Sequence, residues 1–187
     1  MKLWLVRHAQ PLVAPGMCYG ALDMAADTIA TAHAALALAA ELPPGLCVVS
    51  SPLQRCEQLS LFLRGLRPDL IYHTDTRLTE MDFGCWEGQR WDVIDPAQLQ
   101  AWTDHFSNWQ CGGGESVAMF IERVASAWDV WTSLHADLVW ITHAGVIRAA
   151  GLLASGQRHI LRAEDWPVDA PGFGQWCVLD IPSSVGG

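Results

Sequence analysis

Apolar residues in this chain gather into two kinds of run, short unbroken ones and longer ones at helical spacing, and the two kinds alternate. Leu3-Trp4-Leu5-Val6, Leu46-Cys47-Val48-Val49 and Leu138-Val139-Trp140-Ile141-Thr142 are too short for helices. Unbroken apolar runs of that length predict strands buried on both faces, the habit of a parallel sheet. Leu70-Ile71-Tyr72 reads as a further short strand, and the run from Trp176 to Ile181 as a closing one. Between them, Asp27 to Leu42 is alanine-rich, with Asp27 as a plausible N-cap and Pro43-Pro44-Gly45 as a stop. Ser51 followed by Pro52 predicts an N-cap and first helical residue for a helix running to Gly65, with Arg55 on its first turn. Three more helices are expected: over Pro96 to Phe106, from Glu115-Ser116 with Val117, Phe120, Ile121, Val124 and Trp128 on one face, and through Ile147 and Leu153. This alternation predicts one α/β domain over 1–187, a three-layer α/β/α sandwich on a mostly parallel sheet.

Composition narrows the function classes. A chain of 187 residues with 51% hydrophobic content can bury one substantial core. A net charge of −9 and a pI near 5.0 argue against nucleic acid or an anionic membrane as partner, so an anionic ligand would need a local basic pocket. Of the eleven basic residues only Lys2 is lysine; the arginines suit bidentate recognition of oxyanions, although codon bias gives the same pattern. The longest apolar helical segment, Ile29 to Leu42, is too short to span a bilayer and carries His33 and Glu41. Arg7 and His8 interrupt the N-terminal apolar run before it could act as a leader. The six cysteines contain no C-x-x-C pair, which reads as reduced thiols in a cytoplasmic protein without a zinc site or other cofactor. Gly112-Gly113-Gly114 follows no strand and lacks a P-loop lysine, so it is expected to be a turn that also lets a backbone come close to something. Trp86, Trp91, Trp102 and Trp109 fit either core packing or a ring-binding wall over a pocket.

The candidate chemistry lies where strands end. Arg7-His8 follows the first strand, Arg55 the second, and His143-Ala144-Gly145 the fourth, while the loop Arg77 to Gly84 carries Glu80 and Asp82. In open α/β sheets ligands bind beyond the carboxyl ends of the strands, and small residues opening a helix offer backbone N–H groups to an anion. Each residue also has a structural reading. Arg55 could pair with Glu57 or Glu41 on a solvated face, and His143 could be a hydrogen-bonded core histidine.

Taken in order, these stretches resemble the histidine phosphatase superfamily, also called phosphoglycerate mutase-like. The resemblance rests on Leu5-Val6-Arg7-His8, Ser51-Pro52-Leu53-Gln54-Arg55, Thr79-Glu80 through Gly84-Cys85-Trp86-Glu87-Gly88, Gly114-Glu115-Ser116, and Thr142-His143-Ala144-Gly145-Val146-Ile147-Arg148. It implies a phosphoglycerate mutase-like fold and a metal-independent phosphomonoesterase. His8 would be the nucleophile that becomes phosphohistidine. Arg7, Arg55 and His143 would grip the phosphoryl oxygens, and Glu80, at the family's Thr-Glu position, would be the general acid and base in preference to Asp82. Ala144, Gln10 and Tyr19 are candidate substrate contacts. The Met17 to Asp23 and Phe83 to Gly88 stretches look most like the alpha-ribazole phosphatase branch, which implies a small phosphorylated metabolite as partner, alpha-ribazole 5'-phosphate first.

The pattern is not complete. Ala9 and Ala144 stand where the family carries other small residues, and Ala14 replaces an asparagine expected to touch phosphate. Two alternatives stay open at this level, a mutase that moves phosphate between hydroxyls and a silent member that only binds a phosphorylated ligand. His33, His73, His105, His135 and His159 match no motif, and the oligomeric state is not legible.

Overall fold

Strands β1 (Lys2–Arg7), β2 (Cys47–Ser50), β3 (Ile71–Thr74), β4 (Leu138–Thr142) and β5 (Trp176–Asp180) form one sheet in the order β3-β2-β4-β1-β5. The first four are parallel, and β5 closes the edge antiparallel to β1. The computed structural model describes residues 1–182; the last five residues of the span read as one domain, 183–187, lie outside it. Helices α1 (Thr28–Glu41) and α2 (Gln54–Leu66) cover one face; α4 (Val117–Thr132) and α5 (Ala144–Ala154) cover the other, with α3 (Pro96–Asp104) at its margin. This is the expected three-layer α/β/α sandwich.

The alternation of side chains along each strand explains why the apolar runs are unbroken. Trp4, Val6, Val48, Val139 and Ile141 point into a core with Leu38, Leu59 and Leu63. Leu3, Leu5, Val49, Leu138 and Trp140 point into the other core, with Phe120, Ile121, Val124 and Val146. Fully burying such a side chain contributes about 1.5–3 kcal/mol. A polar residue in either central strand would thus remove a large share of a typical domain's stability.

Caps formed by neighbouring residues fall where the sequence puts them. Asp27 accepts from Ala30 N at 2.8 Å, Asp95 from Ala97 N at 2.8 Å ahead of Pro96, and Ser116 from Met119 N at 3.3 Å. The start of α2 is different. The expected Ser51 cap and Pro52 first turn are replaced by a helix beginning at Gln54, whose N–H is capped from another loop by Asp23 Oδ1 at 2.7 Å. Ser51 Oγ instead accepts from Leu53 N at 3.3 Å, just before the helix, and has a second partner in the site. The third strand also shifts, from Leu70 to Tyr72 to Ile71–Thr74, and as an edge strand it is largely exposed. Helix α3 ends at Asp104, two residues before the expected Phe106, with His105 as its C-cap.

Register decides where the site lies. Arg7 stands opposite Thr142 and Ser50 opposite Ile141, so β1, β4 and β2 end level. His8, His143 and Ser51 leave the sheet side by side. Among the described residues no helix is long and apolar enough to cross a membrane.

Candidate active site

The sheet ladder continues one residue past the strands: His8 N donates to Thr142 O at 3.0 Å and Ser51 N to Ile141 O at 2.9 Å. The His8 and His143 rings consequently sit 5.2 Å apart between centroids, tilted by 59°. Arg55 reaches them from the first turn of α2 and is fully buried, 0% exposed, which excludes pairing with Glu57 or Glu41 on a solvated face. Its Nη1 donates to Leu22 O at 2.9 Å and its Nη2 to Gly20 O at 2.5 Å. The Arg7 guanidinium lies over the Phe173 ring, 3.9 Å from its centroid, with Nη1 donating to Pro171 O at 3.0 Å. Among the described residues no ion pair uses either arginine, and the Nε of each is buried without an acceptor. Holding a buried cation such as Arg55 without a counter-charge is costly, so the arrangement with half-buried Arg7 beside it suits an anion that arrives from outside.

His8 Nδ1 lies 2.7 Å from Ala9 O. A carbonyl can only accept, so the ring proton sits on Nδ1 and Nε2 keeps its lone pair. Burial first, then the Arg55 and Arg7 charges, push the His8 pKa from 6.5 down to about 3, although the Ala9 carbonyl opposes this. His143 is lowered for the same reasons, burial foremost and then Arg55. Its ring is held by Ser51 Oγ at 2.9 Å from Nε2, with Cys56 Sγ at 3.5 Å from the same atom.

These shifts make stability depend on pH. Below pH 6.5 the unfolded chain takes up protons that the native imidazoles refuse, so stability falls as pH drops from 6.5 toward the folded value near 3. Each pH unit in that window costs about 1.4 kcal/mol per group. Between pH 7 and pH 5 His8 alone is expected to remove about 2 kcal/mol, and His143 adds in the same direction. Urea unfolding at pH 7, 6 and 5 measures this, and equal stability at pH 5 and pH 7 would contradict neutral buried imidazoles.

Glu80 approaches from the loop after β3. Its Oε2 accepts from Gly145 N at 3.0 Å, at the positive end of α5, and its Oε1 from Met81 N at 3.1 Å. A Cβ on Gly145 would stand 2.2 Å from Oε1, so only glycine lets the carboxylate dock there. Arg123, on α4, fixes the loop. Its Nη1 donates to the carbonyls of Arg77 and Thr79 at 2.8 and 2.9 Å, and its Nη2 to that of Glu80 at 3.2 Å. The same guanidinium is paired with Glu115 at 2.7 Å. Asp82, the rival carboxylate, caps its own turn through Gly84 N at 2.8 Å. The triple glycine packs backbone against that turn: a Cβ on Gly114 would lie 2.4 Å from Asp82 O, and one on Gly84 2.3 Å from Gly112 O.

Of the remaining candidates, Tyr19 is half-buried with its ring 5.7 Å from the Arg55 guanidinium, and Ala144 is buried at the first residue of α5. Gln10 is exposed and bonds through its backbone carbonyl to Asp27 N at 2.8 Å. Beyond Glu80 and Gly145 opens a cavity of about 300 Å³ walled by Phe83, Trp91, Trp102, Phe106, Phe120 and Trp166. Tyr19 and Arg148 complete its rim. Of the tryptophans read from the sequence, Trp91 and Trp102 form wall, Trp86 is core and Trp109 is 37% exposed. A larger groove of about 610 Å³ lies between α5 and β5, but neither imidazole nor Glu80 lines it.

Sequence reasoning passed over Phe173, Arg123 and Cys56, and took Ser51 for a helix cap. Gly145 was read only as a small residue opening a helix, and Arg148 stood inside a quoted motif without a role. Arg123 had no distinguishing signal, being one arginine on an amphipathic helix.

Comparison with known proteins fits this geometry. The family model described as histidine phosphatase superfamily (branch 1) matches residues 3–171. Glucosyl-3-phosphoglycerate phosphatase of Mycolicibacterium vanbaalenii is 30% identical, over 95% of this chain and 83% of its own length. A Hydrogenobacter thermophilus protein provisionally named phosphoserine phosphatase 2 is 30% identical, over 83% of this chain and 79% of its own. An Escherichia coli K-12 structure, provisionally assigned as an alpha-ribazole-5'-P phosphatase, superposes with a TM-score of 0.80 over 97% of this chain and 91% of that one. At 22% identity that last likeness shows the fold alone. The chain belongs to the histidine phosphatase superfamily. Its class is that of the phosphatases, enzymes that act on phosphorylated substrates.

Proposed function

We propose that this protein is a metal-independent phosphomonoester hydrolase that works through a phosphohistidine at His8 and acts in the cytoplasm as one domain. The observation that carries this reading is the contact of His8 Nδ1 with the Ala9 carbonyl, which leaves Nε2 free to attack, beside the buried Arg55 and half-buried Arg7 guanidiniums, neither of which is in an ion pair among the described residues. In the first step His8 Nε2 attacks phosphorus, the P–O ester bond breaks, and the departing oxygen takes a proton from Glu80. In the second, Glu80 as carboxylate takes a proton from water, whose oxygen breaks the P–N bond to release inorganic phosphate. Arg7, Arg55 and His143 hold the equatorial oxygens throughout, where fixed charge does most of the catalytic work in phosphoryl transfer. Six unpaired cysteines fit a reducing compartment.

The substrate is a small phosphorylated metabolite, with alpha-ribazole 5'-phosphate as the first to test. Glucosyl-3-phosphoglycerate and phosphoserine follow from the names of the two relatives. Purified protein should release inorganic phosphate from at least one of these at a rate that chelator leaves unchanged, through an acid-labile phosphoenzyme. An isomerised ester without free phosphate would make it a mutase. Tight vanadate binding without turnover would make it a silent binder.

A further inference from the structure

Arg7 is in no ion pair among the described residues, so something other than a carboxylate must hold its guanidinium. The segment Pro171 to Gln175, which leads into β5, supplies it. Arg7 Nη1 donates to Pro171 O at 3.0 Å, and the guanidinium carbon lies 3.9 Å from the centroid of the Phe173 ring. Phe173 also packs on His8, with centroids 5.5 Å apart and planes tilted by 42°. Two backbone bonds tie the segment to the end of β1: Arg7 N donates to Gln175 O at 2.9 Å and Gly174 N to His8 O at 3.0 Å. Gly174 follows the ring at φ +72°, and a Cβ there would meet the Ala34 Cβ at 3.0 Å, so the turn that presents Phe173 calls for glycine. None of the ordered strand-end motifs includes this segment, and the match to the family model stops at residue 171, before the ring.

Resting on the hydrolase reading above, we propose that Phe173 is a positioning residue: its ring fixes the Arg7 guanidinium and the His8 imidazole in one arrangement that receives the phosphoryl group. An arginine side chain has several free torsions, and a partner is needed to keep its charge in one place. A carboxylate would do so while cancelling the charge and repelling the phosphate. A π-face attracts the cation through its quadrupole but carries no net charge and takes up no N–H donor, so Arg7 is held and its charge remains for the anion. Arg7 and His8 are neighbours at a strand end, where alternation sends successive side chains apart. A single ring in contact with both therefore sets the distance between clamp and nucleophile, which phosphoryl transfer demands. Phe173 acts through these two residues and is not itself a catalytic group.

Phenylalanine analogues that carry successively more ring fluorines, placed at position 173, keep the ring's shape while withdrawing the negative charge of its face. The Kd for vanadate, measured by calorimetry, should rise at each step of that series. Phe173→Leu, which keeps apolar bulk without a π-face, should raise it by about threefold to thirtyfold. Phe173→Tyr keeps the face and should restore affinity to near the parent's. The value of kcat/KM for p-nitrophenyl phosphate should fall in the same order. A purely structural ring would behave differently: urea midpoints would drop while vanadate Kd and kcat/KM stayed level across the series, and that result overturns the proposal. If the parent binds vanadate but releases phosphate from no ester, the hydrolase reading falls alone, and the order of vanadate Kd values still decides the role of Phe173. A parent that binds neither vanadate nor inorganic phosphate overturns both.

Discussion

His8→Asn is expected to fold and to release phosphate at least about 10⁴-fold more slowly than the parent protein, the scale on which losing a nucleophile acts. Asparagine is the informative replacement because its side-chain amide can still donate to the Ala9 carbonyl, as His8 Nδ1 does at 2.7 Å. What it lacks is the basic nitrogen that the proposed reaction directs at phosphorus. Arg7, Arg55 and His143 remain, so the variant should still bind vanadate while forming no phosphoenzyme. Steady-state phosphate release and acid-labile labelling measure the two effects. Activity within tenfold of the parent would remove His8 from the reaction.

Glu80→Gln should lose about 10²–10⁴ in kcat on alkyl phosphates, the range for general acid–base catalysis. The loss should depend on the leaving group. Glutamine can still accept from Gly145 N, which keeps the loop docked on α5, but it has no proton to give an alkoxide. A nitrophenolate leaves unaided, so p-nitrophenyl phosphate should form the phosphoenzyme at near-normal rate. Hydrolysis of that intermediate should then stall, because in the proposed reaction Glu80 also activates the water. The expected trace is a burst of nitrophenol equal to the enzyme, followed by slow turnover. Equal losses on both kinds of ester, with no burst, would mean that the carboxylate only supports the loop. The clamp of Arg123 on the carbonyls of Arg77, Thr79 and Glu80 makes that alternative concrete.

The strand and helix pattern was legible because burial on both faces of a sheet forces unbroken apolar runs, and Asp27 and Ser116 signal helix starts within a few residues of themselves. The ordered motifs at strand ends pointed to His8, Arg55, Glu80 and His143, residues that the fold brings to one edge of the sheet. The α2 start was misread because its cap, Asp23, comes from another loop, which left Ser51 to hold His143.

By itself the sequence determined the layers, the parallel order of the central strands' chemistry and the edge at which it collects, since each depends on contacts within a short stretch. Only the tertiary structure decided that Arg55 is a buried cation without a carboxylate, that Gly145 makes room for Glu80, that Phe173 lies on Arg7, and that aromatic residues scattered from Phe83 to Trp166 enclose a cavity beside the acid. Those are meetings between distant segments. They are set by strand register and helix packing, and no local spacing encodes them.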